Sequence, residues 1–141
     1  MLSFGYIEDF HYGESVVLFC GLQADMVFLK EFFENVLKND LNSAQLQNLD
    51  GFLAKGGVEI NLKVNCSSRG LFQKTSLNHK QFNWNLSRDI LKEFVLLTSE
   101  VACSKHPSHQ YLETGTEGEI IVIVSTECSE EIFAVHSGGN R

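Results

Sequence analysis

From Val58 the chain reads VEINLKVN, and the apolar residues Val58, Ile60, Leu62 and Val64 alternate with Glu59, Asn61, Lys63 and Asn65. A period of two sends successive side chains to opposite faces, so this segment predicts a strand with one face on a core and one in water. QFNWNLS repeats the pattern, with Phe82, Trp84 and Leu86 on one side and Gln81, Asn83 and Asn85 on the other. Two other stretches carry a period between three and four. Met26, Leu29, Phe32, Phe33, Val36 and Leu37 form one apolar stripe over residues 23–38, with Lys30, Glu31, Glu34 and Lys38 mainly off it. Ile90, Leu91, Phe94, Leu97 and Val101 form a second. Ser87 is placed to cap that helix, and Asp89 in its first turn lies at the positive end of the helix dipole. The hexapeptides FLKEFF and ILKEFV within the two stripes look alike, but short amphipathic matches of this kind arise readily by chance.

Weaker patterns fill the spaces between. SVVLFC (15–20) is β-branched and apolar enough for a buried strand, and FGYIEDFHYG before it predicts an edge strand and a turn. Leu41, Leu46, Leu49, Phe52 and Leu53, ending at Gly56 and Gly57, predict a short further helix. Pro107, the chain's one proline, ends the second long helix near Ser104. HQYLET (109–114), GTEG (115–118) and EIIVIVST (119–126) then predict a β-hairpin whose second strand is apolar on both faces and so central. In the first of these strands His109, Tyr111 and Glu113 share a face. The last residues, HSGGNR (136–141), are polar and glycine-rich and are expected to fray. Together the elements predict one α+β domain over residues 1–141, a mostly antiparallel sheet of about five or six strands with two main helices packed on one face.

Composition agrees with one core, since 141 residues with 43% hydrophobic and 21% charged side chains fit a single globular domain. No run reaches the roughly 20 apolar residues of a membrane helix. The N-terminal MLSFGYIEDFHYGES carries acids where a secretion signal carries lysine or arginine, so a cytoplasmic protein without a membrane partner is expected. Cys20, Cys66, Cys103 and Cys128 lie far apart, with no CxxC spacing, and are expected as reduced, mainly buried apolar groups. Spacing alone leaves open whether any two of them pair.

The net charge of −7 argues against a nucleic-acid partner, which calls for a basic face. Its distribution is more informative. Residues 1–54 hold eight acids and two bases, residues 55–92 two acids and seven bases, and residues 93–141 eight acids and two bases. Two acidic ends flanking a basic middle suggest an acidic face that meets a basic partner.

Sequence motifs for chemistry are missing: there is no GxGxxG, P-loop, GxSxG or HExxH. His106 and His109 flank Pro107 as one His-x-x-His pair, short of the three or four ligands a metal site requires, and no metal or cofactor is assigned. A small metal- or metabolite-binding domain or enzyme using His106 and His109 is the competing reading, with His11, His79, Cys103 or Glu113 supplying a third group and Gln81, Asn83 and Asn85 lining a polar cleft. A third reading is a structural subunit or homo-oligomer in which the edge of QFNWNLS or GEIIVIVST pairs with another chain.

The segments VVLFCGLQADMVFLKEFFENVL and HQYLETGTEGEIIVIVS, about half the chain, resemble small bacterial immunity proteins of polymorphic and contact-dependent toxin systems. The resemblance implies a catalytically inert cytosolic protein that binds a cognate toxin tightly and occludes its active site. The expected partner is then a protein toxin with a basic surface. The exposed acids and aromatics outside the core pattern are the expected contacts: Glu8, Asp9, Tyr12, Glu14, Glu113, Glu117 and Glu119.

Overall fold

A computed structural model describes residues 1–64, 67–75, 80–129 and 131–137. Two hairpin-like pairs organise its first sheet. Strand β1 (Leu2–His11) turns at Tyr12 and Gly13 into β2 (Glu14–Cys20), antiparallel to it. Both turn residues have positive φ, 51° and 78°, as a two-residue hairpin requires, and glycine meets that demand without strain. Strand β8 (His109–Tyr111) runs antiparallel to β9 (Ile121–Ser125), and β9 lies parallel to β2. A short β4 (Phe52–Ala54) closes the other side, giving the order β4-β1-β2-β9-β8. The second sheet has the order β3-β5-β7-β6, from Ser43–Gln45, Glu59–Val64, Gln81–Leu86 and Gly70–Gln73.

The fold is therefore α+β, with two principal helices and its strands divided between two mixed sheets of five and four strands rather than gathered into one. Helix α1 spans Gln23–Lys38 and α2 spans Arg88–Cys103, as the apolar stripes require. Ser87 caps α2, its hydroxyl accepting from the Ile90 N–H at 3.2 Å. Asp25 turns back to accept from the Leu22 N–H at 2.8 Å, closing the start of α1. The helices lie antiparallel and are tied at both ends. Arg88 bridges Asp40 and the Leu37 carbonyl at 2.9 Å each, and Gln23 donates to the Ser104 carbonyl.

One apolar core fills the space between the helices and the inner faces of both sheets. Its centre is aromatic: Phe19 of the first sheet stacks on Trp84 of the second at 5.7 Å, and Phe33 and Phe94 from the helices close on Trp84 at 6.0 and 5.7 Å. Offset and tilted rings at these distances add stabilisation beyond their buried area. The alternation in β5 and β7 delivers Ile60, Leu62, Val64, Phe82, Trp84 and Leu86 to this core.

Four expectations are corrected. Residues 41–54 form no helix; they supply β3, a single 3₁₀ turn (Leu46–Asn48) and β4. Gln47 uses its side chain to accept from the Ile60 N–H, and Gly51 has φ 97°, outside any helix. Strand β1 is an edge only beyond Phe4, since the short β4 pairs with it over Leu2–Phe4. Strands β7 and β9 are each paired on both sides, so neither offers an edge to another chain. Cys20 and Cys128 pair as a disulfide with Cα atoms 6.2 Å apart, and Cys103 is exposed rather than buried. Cys66, His79 and the tail from residue 138 lie outside the described residues. A third helix, α3 (Glu131–Ser137), takes up the start of the segment expected to fray.

Candidate pocket on the outer face of the first sheet

The outer face of the first sheet is apolar as well as the inner one, which explains why β9 is hydrophobic on both sides. Ile7, Val16, Leu18, Cys20 and Ile123 form a second buried cluster there, completed by Phe133 of α3. Helix α3 packs mainly over β1. Phe133 sits over Gly5, where a Cβ would lie 2.7 Å from its ring, so the absent side chain at Gly5 is what lets the ring down onto the sheet. Among the described residues, the face over β2 and β9 stays open as a cavity of about 670 Å³. Pockets that hold small ligands or anchoring side chains have volumes on this order.

Val16, Leu18, Ile121 and Ile123 form the floor. The wall on one side comes from β8, where strand alternation points His109, Tyr111 and Glu113 the same way. Tyr12 and Glu14 from the β1–β2 turn form a second wall, with Tyr12 93% exposed. Glu127, Cys128 and Ile132 form the third, held against β2 by the disulfide. His109 Nδ1 donates to Glu127 Oε1 at 2.6 Å, bridging two walls at the mouth, and its ring meets Tyr111 edge-on at 5.7 Å. Three carboxylates, Glu14, Glu113 and Glu127, thus surround an apolar floor, and among the described lining residues none is lysine or arginine.

The fold brings Tyr12, Glu14 and Glu113 together out of the acids and aromatics expected as contacts, and His109 joins them. Glu8 and Asp9 are exposed on β1 outside the lining, and Glu117 is exposed in the 112–120 loop. Glu119 turns to its own loop, its carboxylate accepting from the N–H groups of Thr114, Gly115 and Thr116. His106 lies apart from the lining, in the turn after α2, its N–H held by the Ser104 hydroxyl. Among the described residues no three His, Cys, Asp or Glu side chains cluster with metal-site geometry. Gln81, Asn83 and Asn85 face outward from the second sheet and do not meet His109. Sequence patterning missed Glu127, whose role needs the long-range parallel pairing of β9 with β2. The shared face of His109, Tyr111 and Glu113 was legible from the period of two.

Fold and pocket define an α+β protein with an acid-rimmed apolar pocket on a sheet face. Comparison with protein-family models, curated proteins and solved structures finds no match to the chain. No helix among the described residues is long and apolar enough to cross a membrane.

Proposed function

We propose that the chain is a protein-interaction module of the immunity type, which binds a basic toxin through the outer face of its first sheet and occludes the toxin's active site. The observation that carries this is the pocket's makeup: an apolar floor rimmed by Glu14, Glu113 and Glu127 with two partly or fully exposed tyrosines. Protein interfaces place apolar and aromatic groups at the centre and charge at the rim, and tyrosine is enriched where binding energy concentrates. A negative rim also accelerates encounter with a positive partner. The resemblance to immunity proteins points the same way.

The test is co-expression with the polypeptides encoded beside the gene, followed by affinity purification and hydrogen-exchange mass spectrometry of the complex. A stoichiometric basic partner that protects residues 12–18 and 109–127 is expected. Protection confined to the second sheet, or purification of the chain alone with a bound metabolite, would overturn the reading.

A further inference from the structure

Resting on that interaction reading, we infer that the pocket is an anchor site: it takes one large apolar side chain of the partner, presented by a segment that carries lysine or arginine beside it. The floor sets the first half of this. Val16, Leu18 and Ile123 are 2%, 1% and 7% exposed, so the floor itself is apolar and almost dry. Strand β2 is paired by β1 and β9, and β9 by β2 and β8, so the floor has no main-chain hydrogen bond left to give. A polypeptide backbone pressed onto it loses its water without compensation for each polar group left unpaired. An apolar side chain entering alone gains from leaving water and loses no hydrogen bond. The side chain therefore enters and the main chain stays at the mouth.

The rim sets the second half. There the segment meets Glu14, Glu113 and Glu127, with no lysine or arginine among the described lining residues to offset them. Their summed field favours a cation at the mouth. The rings of Tyr12 and Tyr111 beside it favour one too, through the negative faces of their π-systems. His109 already bonds Glu127, so a partner residue that filled the floor without a flanking cation would leave Glu14 and Glu113 without a counter-charge in the described lining.

The full chain, isotopically labelled, is titrated with capped pentapeptides while its backbone amide resonances are followed. The probes are Lys-Lys-Phe-Lys-Lys, Lys-Lys-Ala-Lys-Lys and Glu-Glu-Phe-Glu-Glu. The first is expected to shift the amides of Val16, Leu18, Ile121 and Ile123 saturably, and the other two to bind at least about tenfold more weakly. The exposed-rim double variant Glu14→Gln, Glu113→Gln should weaken the first peptide several-fold with the rest of the spectrum unmoved. An equal response to the alanine peptide overturns the anchor. Equal binding of neutral N-acetyl-phenylalanine amide overturns the cationic flank and makes the cavity a small-ligand site. If a purified partner protects Tyr12, Glu14 and Glu113 while the floor ignores the lysine–phenylalanine peptide, the anchor falls and the interaction reading stands. If the partner leaves this face unprotected, the interaction reading falls with it.

Discussion

The carboxylate of Glu119 accepts from the N–H groups of Thr114, Gly115 and Thr116 and from the Thr114 hydroxyl, at 2.8–3.1 Å. One side chain thus satisfies three consecutive backbone donors of the loop that joins β8 to β9. Removing it leaves those donors without their acceptor, so Glu119→Ala should cost about 2 kcal/mol in chemical denaturation, and Glu119→Gln, which keeps an oxygen, less. A cost below about 0.5 kcal/mol for the alanine variant would show that water replaces the carboxylate freely. Thr98 presents the opposite case. It is fully buried on α2, and among the described residues its hydroxyl has no hydrogen-bond partner. Thr98→Val keeps the shape and removes the unpaired group, so it should stabilise by about 1 kcal/mol and raise Tm by roughly 2–4 °C. A fall in Tm would mean that the hydroxyl is bonded in solution. Both residues are polar letters in apolar surroundings, and nothing in the sequence separates the committed one from the orphan. That distinction exists only once loop and helix are folded.

At the scale of elements, α3 is the least self-sufficient piece. Seven residues cannot sustain a helix in water, because the first turn costs more order than its few hydrogen bonds return. Phe133 against Gly5 and the Cys20–Cys128 disulfide hold it to the sheet. The disulfide spans 108 residues of sequence. Reducing it, or making Cys128→Ser, should lower stability by about 2–4 kcal/mol and expose α3 to protease before the rest of the chain. Limited proteolysis with mass spectrometry reads this directly, and a C-terminal segment equally resistant in reduced and oxidised protein would show that Phe133 holds it alone. Here the limits of the sequence are plain. Helices α1 and α2 and strands β5 and β7 were legible because each carries a full local period. The pairing of Cys20 with Cys128 was not, because it follows from the β2–β9 register, a contact between the chain's two ends. Residues 41–54 misled for a related reason: Leu46, Leu49 and Leu53 have helical spacing, yet Leu46 and Phe52 are buried through a 3₁₀ turn and a short strand. Of the pocket, the β8 wall could be read from alternation, whereas the wall at Glu127 and Cys128 required the tertiary fold.

On the scale of the whole molecule, the charge blocks of the sequence feed different sheets. The acidic ends, residues 1–54 and 93–141, supply all five strands of the first sheet, and the basic middle, residues 55–92, supplies β5, β6 and β7 of the second. The net charge of −7 is therefore the residue of blocks of opposite sign along the chain rather than of an even spread. A separated distribution orients an approaching charged body, whereas a uniform coat of the same total only attracts or repels it. This leads to a prediction that isolates placement from total. Glu14→Lys with Glu113→Lys reverses the pocket rim, and Glu31→Lys with Glu93→Lys makes the same change in net charge on the exposed sides of α1 and α2. In stopped-flow association with a basic partner at 0.1 M salt, the rim pair should slow binding by about tenfold and, across a salt series, flatten its salt dependence. The helix pair should change the rate by less than about threefold, because exposed charges beyond roughly 10 Å are largely screened from the mouth at 0.1 M salt. Equal slowing by both pairs would assign the encounter to net charge, and the acid rim would then serve the bound complex rather than the approach to it.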